Sequence, residues 1–292
     1  MKPEQEVTVQ GPAGPLAGTL LHGPVRRAMA LIVPGSGPTD RNGNGPPGSG
    51  LRCNAYAKLA KALASYGIST LRIDKRGIGR SVGDGNAVTM ADYAADLAAW
   101  LQFLTLLRLP IWLIGHSEGG IVALHAAPLA AVRGLVLLAC PGQPLDRVLM
   151  AQLAAVPANA PLLGAARLAL DQLAQGRTID VSALPSLLQA LFAPQVQGFW
   201  ASLLAHAPAD LASRITKPML IVQGGQDLQV SVTDAECLAA AAPLAEICVL
   251  PLMNHVLTDV APGDTTANWA TYDSPDAALP AALSSRIAAA IS

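Results

Sequence analysis

Short strand-like stretches at 28–33, 68–73, 111–114, 134–139, 218–223 and 245–250, several of them continuous apolar runs, alternate with stretches whose apolar residues recur at helical spacing. A continuous apolar run of this length reads as a strand buried on both faces. A helix between two such strands carries the chain back across the sheet and leaves the strands parallel. The 292-residue chain is therefore expected to be an α/β protein with a mostly parallel central sheet covered by helices on both faces. Helices are predicted at 53–66, where Tyr56, Leu59, Ala60 and Leu63 share a face, and at 90–107, where Thr89 supplies the cap and Asp92 sits in the first turn. Others are predicted at 117–127, 234–242 and 275–291. A hairpin of strands 6–10 and 16–22 precedes the alternation, turned by the Gly-Pro-rich stretch 11–15. Residues 35–50 are so rich in glycine and proline that they form a long loop.

The alternation breaks between 141 and 216, where the pattern is helical and no strand is legible. Removing this stretch leaves one continuous sheet domain. The expected organisation is a core of residues 1–140 and 217–292 with a helical cap, 141–216, inserted into it.

Hydrophobic residues make up 52% of the chain and charged residues 13%, about half the usual ~25%. Such a chain has ample apolar surface to offset ordering entropy, which excludes disorder. A net charge of −1 excludes nucleic acid as an electrostatic partner. The longest uncharged stretches, 148–166 and 181–209, are interrupted by Pro157, Pro161, Pro185, Pro194 and Pro208, so no stable membrane insertion is expected. The N-terminal residues lack the apolar run of a signal peptide. Cys53, Cys140, Cys237 and Cys248 show no C-x-x-C spacing and read as small core residues in a reducing compartment, so a cytoplasmic location is expected. No metal-ligand spacing occurs, and no cofactor is expected. Nothing in the pattern sets an oligomeric state.

The strongest local signal is Gly115-His116-Ser117-Glu118-Gly119-Gly120, at the junction of the strand 111–114 with a helix. A serine hydroxyl becomes a useful nucleophile when it is exposed, oriented and relieved of its proton during attack. A sharp strand-to-helix turn exposes it, and the close backbone approach of such a turn needs small residues two positions to either side. Gly115 and Gly119 occupy those positions. The helix that starts here aims amides and a positive dipole end at the same place.

With this motif, the stretches Gly35-Ser36-Gly37-Pro38-Thr39-Asp40-Arg41-Asn42-Gly43-Asn44 and Asp74-Lys75-Arg76-Gly77-Ile78-Gly79-Arg80-Ser81 make the chain resemble the α/β-hydrolase superfamily. The resemblance covers nearly the whole length. More narrowly, the three motifs look like a lidded bacterial serine esterase group related to serine-aminopeptidase-like lysophospholipases. They identify no substrate.

A base must take the serine proton, and histidine is suited to this near neutral pH. Of the five histidines, His255 follows the last strand, at the chain-order position of the base. His206, in the cap, is its rival; His116 adjoins the nucleophile on so tight a turn that its side chain points away from the Ser117 hydroxyl. The acid that orients the base is expected after the strand 218–223, at Asp227. Its rival Asp234 stands at a helix start, where a carboxylate favours the dipole. One oxyanion donor is expected to be the amide of Glu118 and the other an amide of the loop after 28–33. The resemblance implies Ser36 for the second, with Gly37 as close rival.

Lys75 and Arg76 lack the glycine spacing of a phosphate loop and are expected to tie loops together, as are Asp40 and Arg41. For the Glu118 side chain two readings stand: it anchors the loop, or it repels anionic substrates. Phe192, Phe199 and Trp200 lie in the apolar cap, where they either pack it onto the core or wall a lipophilic substrate pocket. The expected activity is that of a carboxylesterase cleaving small-molecule esters of short- to medium-chain acids through an acyl-enzyme. Thioesterase and amidase or peptidase activity on the same residues, and a ligand-binding receptor with little turnover, are the alternatives.

Overall fold

The computed structural model describes residues 3–291. The chain opens with an antiparallel hairpin, β1 (Gln5–Gly11) and β2 (Gly14–Leu21), closed by a turn of only Pro12 and Ala13. It then alternates as expected: β3 (Ala28–Val33), α1 (Ala55–Ser65), β4 (Ile68–Ile73), α2 (Met90–Thr105), β5 (Ile111–His116), α3 (Glu118–Ala126) and β6 (Val132–Leu138). A helical stretch follows, made of α4 (Leu145–Ala154), α5 (Leu163–Ala174), α6 (Ser186–Leu191), α7 (Gln197–Leu204) and α8 (Pro208–Ala212). The alternation resumes with β7 (Met219–Gly224), α9 (Val232–Ala241) and β8 (Ala245–Leu250), and closes with the short α10 (Thr265–Ala270) and α11 (Ala281–Ala290).

The sheet order is β1-β2-β4-β3-β5-β6-β7-β8. From β4 to β8 every neighbouring pair is parallel, and β1 and β2 form an antiparallel edge. The central strands are buried along their whole length, because helices cover both faces. On one face Leu97, Trp100, Leu101 and Leu104 of α2 pack with α3 residues against β3 and β5. On the other, Tyr56, Leu59 and Leu63 of α1 pack with Leu283 and Ile287 of α11. Each such side chain contributes about 1.5–3 kcal/mol by its removal from water.

Local chemistry sets the element ends. Thr89 and Asp92 form a reciprocal capping box at the start of α2, and Ser231 and Asp234 form another at α9. The last helix is shorter than the expected 275–291, because Pro280 disfavours a helical conformation at Leu279 and the helix starts after it.

The helices between β6 and β7 carry a small core of their own, built from Leu153, Ala166, Leu170, Leu173, Leu188 and Phe192. Leu203, Ala212 and Ile215, nearer the end of the 141–216 stretch, pack instead in the main core of the sheet. Among the described residues no helix is long and apolar enough to cross a membrane. The four cysteines are free, three of them buried.

Candidate active site

In a parallel sheet the loops that leave the strands' C-terminal ends gather along one edge. Here those loops bring Ser36, Ser117, Asp227 and His255 together from distant parts of the chain. Ser117 sits between β5 and α3 with φ 54° and ψ −127°, a left-handed φ that costs a non-glycine residue energy. The surroundings hold this strained turn. The Ser117 amide donates to the Leu138 carbonyl at 2.9 Å. A Cβ at Gly115 would meet the backbone of Gly119, and one at Gly119 would meet the carbonyls of Val33 and Pro34. Gly120 is equally confined, by the Cys140 side chain.

His255 lies in the loop after β8, and its Nδ1 is 2.8 Å from Oδ2 of Asp227. The Asp227 side chain is fully buried, and its Oδ1 accepts the amides of Gln229 and Val230 at 2.8 and 2.9 Å. Burial alone would raise the Asp227 carboxyl, but the facing His255 and these amides overcome it and hold the group below the ordinary carboxylate value. An ionised Asp227 makes Nδ1 of His255 the protonated nitrogen, which leaves Nε2 as the proton acceptor.

The His116 ring has two hydrogen-bond partners of its own. It lies between Tyr56, whose hydroxyl is 2.8 Å from Nδ1, and the His255 carbonyl, 2.8 Å from Nε2. A carbonyl only accepts, so Nε2 carries the proton. Nδ1 then accepts from Tyr56, and the Tyr56 oxygen accepts the Gly35 amide at 3.0 Å. Burial first, and the nearby His255 second, push the His116 imidazole down to about 3.

The Glu118 amide opens α3 and has no partner one turn back within the helix. Ser36 faces the same space, and neither amide has a hydrogen-bond partner among the described residues. The Gly35 amide is already bound to Tyr56, and Gly37 lines neither cleft at Ser117.

Two clefts meet at Ser36, Ser117 and Gln229. One, of about 460 Å³, is lined by His255, Thr39, Tyr56 and Tyr272. The other, of about 540 Å³, lies toward the helices that follow β6 and is lined by Leu145, Val148, Leu149, Trp200 and Leu203. Of Phe192, Phe199 and Trp200, only Trp200 lines either of these two clefts. Phe192 is fully buried in the small helical core, and Phe199 packs against Tyr93 of α2, so both serve packing.

The rivals stand elsewhere. His206 pairs with His125, ring centroids 5.7 Å apart, and Asp234 accepts the amides of Gly142 and Gln143, both at 3.0 Å. The charged motif after β4 ties loops. Asp74 accepts the Arg41 and Arg80 amides and pairs with the Arg41 guanidinium at 2.6 Å, while Arg76 pairs with Asp96 at 2.8 Å. Asp40 turns its own loop by accepting the Asn42 and Asn44 amides. The Glu118 carboxylate meets Lys75 at 3.1 Å, which favours the anchoring reading of that side chain. Among the described residues no group of side chains could hold a metal ion.

Sequence reasoning did not find Gln229, Tyr272 or Thr39 as cleft residues, nor Tyr56 as more than a core residue. Gln229 follows Asp227 closely and was within reach of a loop argument. Tyr272 lies outside every motif and carries no sequence signal.

A family model described as serine aminopeptidase, S33, matches residues 47–259. A curated relative, esterase EstD of Thermotoga maritima, is 27% identical over 235 residues, 80% of this chain. The match spans 54% of that relative, so this chain corresponds to about half its length. Among solved structures, Est1E of Butyrivibrio proteoclasticus, with ferulic acid bound, superposes with a TM-score of 0.60 at 16% identity, covering 91% of this chain and 96% of the other. The esterase domain of a Rhodothermus marinus protein superposes at 0.56 with 19% identity over 99% of this chain and 100% of the other. At such identities these likenesses establish a shared fold.

Proposed function

The chain belongs to the serine aminopeptidase S33 family and has the α/β-hydrolase fold, and from that premise we propose that it is a carboxylesterase acting on short- to medium-chain acyl esters through an acyl-enzyme on Ser117. One observation carries this reading: Ser117, on its strained turn, shares a cleft with His255, whose Nδ1 is held by Asp227 at 2.8 Å. His255 Nε2 takes the hydroxyl proton as Ser117 attacks the ester carbonyl. The Ser36 and Glu118 amides donate to the oxyanion. The alcohol leaves with the proton from His255, and water releases the acid by the same route.

The two clefts divide the substrate. The leaving alcohol must reach the histidine that protonates it, and His255 lines the first cleft but not the second. The alcohol therefore occupies the first cleft, beside Thr39, Tyr56 and Tyr272. The acyl chain lies in the second, against Leu145, Val148, Leu149 and Leu203, with the helical stretch 141–216 acting as the cap that covers it. An aminopeptidase would need a free carboxylate to hold the substrate's amino group. The acidic side chains beside Ser117 are engaged, Glu118 with Lys75 and Asp227 with His255, which favours esters. The Thermotoga relative, itself named an esterase, supports the same reading. We place the reaction in the cytoplasm, a setting in which the buried thiols of Cys53, Cys140 and Cys248 stay reduced.

The test is hydrolysis of p-nitrophenyl butyrate by the wild type and by Ser117→Ala. Sustained wild-type turnover, with kcat about 10⁴-fold lower or more in the variant, is expected. Equal rates would overturn the proposal. A single stoichiometric turnover with strong thermal stabilisation by ligand would replace it with a receptor.

A further inference from the structure

The two oxyanion donors assigned above are backbone amides, and a backbone amide points wherever its peptide plane is held. In a planar trans peptide the carbonyl and the N–H point in opposite directions. The group that binds the Gly35 carbonyl therefore aims the Ser36 N–H. That group is the Lys75 ammonium, which donates to the Gly35 carbonyl at 2.7 Å. The same ammonium donates to Oε1 of Glu118 at 3.1 Å. Glu118 is the residue whose own amide is the second donor.

We infer that the buried Lys75–Glu118 pair is the positioning device of the oxyanion hole, locking the Gly35–Ser36 peptide plane to the start of α3 so that both amides converge on one point. The inference rests on the esterase reading of the same site. The two side chains are 4% and 10% exposed, and the Lys75 ammonium also lies 5.3 Å from the centroid of the Tyr93 ring. Taking two charges out of water is costly, and an apolar pair would fill the same space at less cost. The tie to Gly35 gives the ion pair a purpose that packing alone does not. The neighbouring groups are fixed as well: the Gly35 amide by Tyr56 at 3.0 Å and the Ser36 carbonyl by the Thr39 hydroxyl at 2.8 Å. The Lys75 link is the charged one, and it joins this loop to the helix that starts directly after Ser117. The Lys75 and Glu118 side chains are thus positioning groups, acting through two backbone amides.

The experiment compares Lys75→Met, Glu118→Gln and Glu118→Ala with the wild type on p-nitrophenyl butyrate, with thermal melts and inhibition by an alkylboronic acid, whose tetrahedral adduct places an oxygen in the hole. For Lys75→Met we expect kcat to fall about 10²-fold or more, with KM within about threefold and boronate affinity falling in parallel with kcat. Glu118→Gln keeps an acceptor for the ammonium and should retain more activity than Glu118→Ala. A lowered Tm with wild-type kcat and boronate affinity would overturn the inference. If Lys75→Met fails to fold, the two Glu118 variants decide, and equal kcat in both would overturn it. Failure of the esterase reading shows separately, as a wild type that hydrolyses no ester. In that case a crystal structure of Lys75→Met, or of Glu118→Ala where Lys75→Met fails to fold, still decides: a rotated Gly35–Ser36 peptide supports the inference, and an unmoved one overturns it.

Discussion

His116 illustrates how much one side chain can hold in place. Its neutral ring accepts from Tyr56 and donates to the His255 carbonyl, so it connects the Gly35 loop to the loop of His255. Protonation would put a hydrogen on Nδ1, the ring's second, and remove the acceptor that Tyr56 uses. Burial holds the folded-state pKa at about 3, below the ordinary 6.5, so the unfolded chain binds the proton more readily. The stability this group contributes is therefore complete above pH 6.5 and is lost as the pH falls from there toward 3. The slope approaches about 1.4 kcal/mol per pH unit for this one group. Urea denaturation at pH 7 and pH 5 should show the wild type losing stability on acidification and His116→Gln losing less. Equal losses in the two proteins would contradict this account. The tight turn already implies that the ring points away from Ser117. Its partners, 60 residues upstream and 139 downstream, are brought to it by the sheet and leave no mark on the local sequence.

The strands were legible because short strand-like stretches bounded by proline or glycine alternate with residues at helical spacing. Ala28–Val33, Ile68–Ile73 and Ala245–Leu250 begin and end where the pattern does. The helices after β6 were legible as helices, but which face each would turn inward was not. Phe192 and Trp200 sit in the same uncharged stretch, yet one closes the small helical core and the other lines a cleft. An apolar side chain announces that it will be buried, and only the packing decides against what. Leu149 tests the acyl assignment at this scale, since it lies on α4 and lines the second cleft. Leu149→Trp should shorten that cleft, lowering the hexanoate-to-acetate ratio of kcat/KM for p-nitrophenyl esters about tenfold or more. An unchanged ratio would remove the acyl chain from this cleft.

At the scale of the whole molecule, the parallel sheet converts chain order into a site. Each strand delivers its following loop to the same edge, so residues as far apart as Ser36 and His255 line one cleft. The order in which Ser117, Asp227 and His255 occur was readable because β5, β7 and β8 were readable as strands. The coupling of Lys75 to Gly35 and Glu118 was not, because charged residues after a strand reveal that they will be paired but not with whom. The central claim is that this edge activates Ser117 as a nucleophile. Intact-mass spectrometry after incubation with an alkyl fluorophosphonate tests it most directly. The account predicts one adduct per chain, mapped to the peptide containing Ser117 and absent from Ser117→Ala. An adduct that persists in Ser117→Ala, or none on a folded wild type, would contradict it.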